Sequence, residues 1–203
     1  MTPYEISDAS FPVAVCDRVL AVARSIFDQV PVILGGGAVR DLLLGLEPAG
    51  VKDWDLFYLG GQSDQLRQAF ASFAPAAAQH WDRSAHLIAE IDHLLGPIQI
   101  MRTEAETVAE FLAGSDFNVS AFAYDGRIWG PAPAVDFIRP GGSLELGRIS
   151  NPLSSLARGF SFATRFEMIF ESRDVVRLCH FVADSSRDRR RRVRLRNGDK
   201  PPY

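Results

Sequence analysis

Two aspartates, Asp53 and Asp55, stand on either side of Trp54. Side chains alternate along a β-strand, so residues two apart project from the same face. Two carboxylates placed in this way repel each other unless a cation lies between them. Mg2+ prefers oxygen ligands and binds triphosphate oxygens at the same time, so the pair could support metal-assisted nucleotidyl transfer. An isolated Asp-x-Asp is more readily read as a solvated strand end. The second feature is Gly35-Gly36-Gly37, which opens an apolar-periodic segment. Bare backbone amides at a helix start can cradle phosphate oxygens, and glycine permits the close approach. Alone, such a turn is also readable as a tight strand-to-helix connection.

These residues need elements to position them. Val13, Val15, Val19, Leu20, Val22 and Ile26 recur at helical spacing between Phe11 and Phe27. Val32-Ile33-Leu34 is a short buried-strand pattern that runs into the glycines, and Ala38 to Leu44 reads as a helix closed by Gly45. Trp54 to Leu59 suits a second strand and Ser63 to Phe73 a helix. Ala85 to Ile91 and Pro97 to Met101 read as two strands joined by a loop, and Glu104 to Leu112 as helix. Gly126, Gly130, Pro131 and Pro133 predict irregular chain up to Val135, and Leu153 to Phe170 predicts a helix that begins behind Pro152. The result is an α/β (α+β) arrangement, a small mixed sheet flanked by helices with a helical extension at its end. The expected divisions are residues 1–150 as the main domain, 151–186 as the extension and 187–203 as a basic, disordered tail.

With 203 residues, 47% of them hydrophobic, the chain can bury one core of ordinary size. It contains no apolar run of membrane-spanning length, and MTPYEISDAS lacks the layout of a signal peptide, so a soluble, cytoplasmic protein is expected. Cys16 and Cys179 lie far apart without a CxxC partner, which points to neither a disulfide framework nor a zinc site. The net charge of −3 conceals an asymmetry. Arg187 to Lys200 holds eight basic residues against Asp188 and Asp199, a local balance of +6 that leaves −9 on the rest. That acidic body is a poor general surface for polyanions, whereas the segment Arg187 to Arg196 could neutralise several backbone phosphates.

Taken together, the motifs resemble a family. GGAVRDLLLG, from Gly36 to Gly45, is similar to the GGxVRDxLLG signature of the class II nucleotidyltransferases, the CCA-adding enzymes and poly(A) polymerases. KDWDLFYLG, from Lys52 to Gly60, resembles the segment that carries their metal-binding carboxylates. Asp116-Phe117-Asn118-Val119-Ser120-Ala121 resembles the end of their RRDFTINA motif, with Gly114 and Ser115 in place of the arginine pair. NPLSSLARGFSFATRF, from Asn151 to Phe166, looks like their DPLRLLRAARFAARF helix.

The resemblance implies a polymerase-beta-like head fold, Mg2+ as cofactor, and a nucleoside triphosphate, ATP or CTP, as substrate. It implies Asp53 and Asp55 as catalytic metal ligands, and Gly36, Gly37, Arg40, Asp116 and Arg158 as nucleotide-binding residues. The implied acceptor is an RNA 3′ end. Arg40 and Asp41 are also readable as a hydrogen-bonded clamp on the glycine turn, and Arg165 as structural. Folds of this kind often carry a third carboxylate beside the pair, and the positions open to it here are Gln99 and, on the partner strand, Glu90. No segment after Phe166 resembles the short acidic-and-arginine motif with which the tRNA-maturing enzymes read the base, so no choice of base is implied. A protein or small-molecule hydroxyl as acceptor, and a non-catalytic nucleotide-binding homologue, are the rival readings.

Overall fold

The computed structural model describes residues 2–28, 30–60, 63–71, 87–139, 142–149 and 151–196, the side chains of 63, 67, 70, 71 and 185–196 excepted. Seven strands, β1 (Tyr4–Ile6), β2 (Val32–Gly35), β3 (Trp54–Tyr58), β4 (Leu87–Ile91), β5 (Ile98–Met101), β6 (Ala123–Tyr124) and β7 (Ile128–Gly130), form one mixed sheet. Their order is β1-β7-β6-β2-β3-β5-β4. Strands β3 and β5 run parallel, with Asp55 beside Gln99, and every other neighbouring pair is antiparallel. The helices are α1 (Val13–Ile26), α2 (Gly37–Leu43), α3 (Ser63–Ala71), α4 (Val108–Ala113), α5 (Ala132–Phe137), α6 (Pro152–Arg165) and α7 (Ser172–Arg196). The chain divides into two compact units, Met1–Arg148 and Ile149–Tyr203. The small mixed sheet flanked by helices is therefore the architecture read from the sequence.

Alternation along β3 sorts its side chains. Trp54, Leu56 and Tyr58 are fully buried on one face, while Asp55 and Phe57 are half-buried on the other. Helix α1 buries Cys16, Val19, Leu20 and Ala23, and the Tyr58 hydroxyl donates to the Ala23 carbonyl at 2.7 Å. Truncating a residue such as Leu56 to alanine in this layer would cost about 2–5 kcal/mol. On the opposite face Phe57 stacks on Phe111 of α4 at 4.6 Å between ring centroids. The two rings lie over Gly35, where a Cβ would come within 2.5 Å of Phe111 and 2.9 Å of Phe57. Gly35 is needed for that packing.

Several boundaries differ from the sequence reading. The predicted helix from Glu104 begins only at Val108, because Thr107 is its N-cap and its Oγ1 accepts from the Glu110 amide. The helix expected to run to Phe170 ends at Arg165. Glu167 adopts a φ of 53°, and the Met168 amide donates back to the Ala163 carbonyl, which closes the last turn. The stretch expected to be irregular holds β6, β7 and α5. Asp125-Gly126 makes the hairpin turn, with Gly126 at φ 118° and the Asp125 carboxylate accepting from the Arg127 amide and the Trp129 indole. The three-residue edge strand β1 is too short to leave a periodic pattern.

The expected disordered tail is corrected over residues 187–196, which continue α7 to Arg196. Apolar periodicity reports a helix that packs, whereas an arginine run supports helix through intrinsic propensity alone. Residues 197–203, like 72–73 and 85–86 at the ends of two predicted elements, lie outside the described residues.

Candidate active site

The antiparallel register of β2 with β3 places Leu34 opposite Leu56. One step further brings Gly35 level with Asp55, so the glycine turn that follows β2 and the carboxylates that begin β3 share one end of the sheet. Asp53 is exposed just before β3, and Asp55 is half-buried within it on the face of Phe57. Burial, and secondarily the Asp53 charge, push the Asp55 carboxyl up to about 7. Two carboxylates so arranged are an incomplete charge arrangement that a divalent cation would balance. Among the described residues no group of three or more His, Cys, Asp or Glu forms a self-sufficient metal cage. The two carboxylates offer hard oxygen donors of the kind that Mg2+ takes, with positions left for other ligands.

Gly36 has φ 68° and ψ −125°, a conformation open to glycine, and no atom lies within 4 Å of where its Cβ would stand. Its amide donates to the Phe122 carbonyl at 2.9 Å. Gly36 thus shapes the turn, and α2 begins at Gly37 with no side-chain cap on its first amides. Arg40 is 4% exposed. Its Nε donates to Asp41 at 2.8 Å and its Nη1 to the Val119 carbonyl at 3.5 Å. A Cβ on Gly37 would sit 3.4 Å from an Arg40 guanidinium nitrogen. Arg40 is therefore buried beside the turn and bonded to Asp41 and Val119.

Asp116 is also buried, at 6% exposure, and its main-chain carbonyl accepts from Gly147 at 2.7 Å. Arg158 lies on α6 of the second unit, exposed. The structure thus brings together Asp53, Asp55, Gly36 and Gly37, with Arg40 behind them.

Sequence reasoning assigned no role to Asn118. Its Nδ2 donates to the carbonyls of Pro133 and Ser143, and its Oδ1 accepts from the amides of Val119 and Glu145. This buried amide ties the first turn of α5 and the segment from Ser143 to Glu145 to the chain around Val119, whose carbonyl Arg40 bonds. The only advance signal was an asparagine inside a run too irregular for helix or strand.

Comparison with family models and with curated proteins gives no match. Comparison with solved structures does. A CCA-adding enzyme in complex with CTP aligns at a TM-score of 0.55 and 21% identity, over 86% of this chain and 44% of that one. A CCA-adding enzyme in complex with ATP aligns at 0.54 and 18%, over 93% and 48%. The Thermotoga maritima CCA-adding enzyme complexed with tRNA aligns at 0.54 and 19%, over 88% and 46%. The chain has the head fold of the CCA-adding enzymes. It spans about half the length of those structures. Among the described residues, no helix is long and apolar enough to cross a membrane.

Proposed function

We propose that the chain transfers a nucleoside monophosphate from ATP or CTP to an acceptor hydroxyl, with an RNA 3′ end as the acceptor and pyrophosphate as the leaving group. The observation that carries this reading is the carboxylate pair at the start of β3, Asp53 just before it and Asp55 within it, at the same end of the sheet as the glycine turn of β2. Asp53 and Asp55 would hold Mg2+, which when bound neutralises triphosphate charge and polarises the transferring phosphoryl group. Amides from Gly37 onward would orient phosphate oxygens, Gly36 giving them access and Arg40 and Asn118 keeping the turn rigid. The acceptor oxygen bonds to the α-phosphorus as the bond to the bridging oxygen of pyrophosphate breaks, and the hydroxyl proton is lost to solvent. Positioning and charge stabilisation supply most of the catalysis in such a displacement.

The acceptor assignment draws support from α7. Its last ten residues, Arg187 to Arg196, carry seven arginines and one aspartate on a helix, beside a body at −9. Such a segment can displace counterions from a nucleic acid backbone. The tRNA named with the Thermotoga maritima structure is compatible with this assignment. The decisive experiment is incubation with each labelled nucleoside triphosphate, Mg2+ and total RNA, protein and metabolite pools. Label is expected in RNA, lost in Asp53→Ala and Asp55→Ala. Label in protein or metabolites would move the acceptor, and no label in any pool would refute transfer.

A further inference from the structure

Three strands set Asp55, Gln99 and Glu90 abreast. Asp55 pairs with Gln99 across β3 and β5, and Gln99 pairs with Glu90 across β5 and the edge strand β4. Directly paired residues project on the same face, so the three side chains form a row that starts at the carboxylate pair. Gln99 Nε2 donates to Glu90 Oε2 at 2.8 Å. An ionised carboxylate only accepts, so the nitrogen end of the amide must be the end that faces Glu90. With the nitrogen end engaged by Glu90, the carbonyl oxygen Oε1 is the end that this amide can offer to a ligand in the row.

We propose that Gln99 Oε1 is a neutral third oxygen ligand for the divalent cation held by Asp53 and Asp55, and that Glu90 is a positioning residue that fixes the Gln99 amide. The proposal rests on the nucleotidyltransferase reading above. A third carboxylate at position 99 would add a further like charge beside Asp55. An amide oxygen supplies a hard donor without that charge. Glu90 is exposed on the edge strand, where its own charge stays solvated.

Mg2+ is titrated calorimetrically into the full chain, without nucleotide, at pH 8. Gln99→Met keeps length and volume but removes the acceptor, and is expected to weaken Mg2+ binding roughly 10-fold. Glu90→Ala should weaken it severalfold in the native background and not at all in the Gln99→Met background, because Glu90 acts through the amide. Gln99→Glu, which restores an oxygen donor, should bind at least as tightly as the native chain. Circular dichroism checks the fold, with Gln99→Leu replacing Gln99→Met if that variant does not fold. Native binding with unchanged affinity in Gln99→Met would overturn this proposal alone. An equal Glu90→Ala effect in both backgrounds would overturn the positioning role and leave only long-range charge. A native chain that binds no Mg2+ at millimolar concentration would overturn both this proposal and the reading it rests on.

Discussion

Replacing Asp55 with asparagine keeps the side-chain shape and deletes a charge that the folded, metal-free protein tolerates poorly. The carboxyl is pushed from 3.8 up to about 7, chiefly by burial and then by Asp53. Because the folded pKa lies above the unfolded one, the folded chain binds more protons than the unfolded chain between these values, and stability falls as pH rises through that window. At 1.36 kcal/mol per pH unit, the native aspartate costs roughly 1.7 kcal/mol at pH 5 and roughly 4 kcal/mol at pH 8. Asp55→Asn is neutral throughout. In EDTA it should therefore be more stable than the native chain at pH 8, with an advantage larger by about 2.5 kcal/mol than at pH 5. Urea denaturation at both pH values measures this directly. With Mg2+ and nucleotide the order should reverse, because ligands that bind only the folded state stabilise it in proportion to occupancy, and the asparagine forfeits them. An advantage that is the same at pH 5 and pH 8, or a variant less stable than the native chain at pH 8, would refute the assignment of a strained carboxylate.

Gly36→Val forces a β-branched residue into φ 68° and ψ −125°, and should lose about 1–3 kcal/mol in denaturation together with nucleoside triphosphate affinity by calorimetry. Unchanged affinity would detach the turn from phosphate binding. Gly35→Ala drives a methyl into the Phe57 and Phe111 rings and should cost about 1–3 kcal/mol by overpacking, visible as a lower urea midpoint. Asn118→Ala leaves the Pro133 and Ser143 carbonyls and the Glu145 amide without this partner, for a loss of about 1–3 kcal/mol in denaturation. Deleting residues 187–203 should weaken RNA binding most at low salt and leave nucleotide affinity nearly constant. Equal RNA extension at low and physiological salt would remove the arginine run from acceptor binding.

The carboxylate pair and the glycine turn were legible because both are local. Asp53 and Asp55 stand two residues apart where β3 begins, and Gly36 occupies a conformation that favours glycine. The strands beside them were legible for the same reason, since Val32-Ile33-Leu34 is a continuous apolar run and Trp54 to Leu59 is apolar but for Asp55. What pairs with what was decided by tertiary structure. Gln99 lies 44 positions beyond Asp55, and nothing in the intervening residues states that β5 runs parallel beside β3 while β4 takes the edge. Arg40 was readable as ligand or clamp, and its burial and its bond to the Val119 carbonyl, 79 positions away, appear only in the fold. Asp116 likewise showed its burial only once the loops closed around it. Local backbone sterics and side-chain alternation act over a few residues and can be read along the chain, whereas register, burial and long-range hydrogen bonds depend on which segments the sheet brings together.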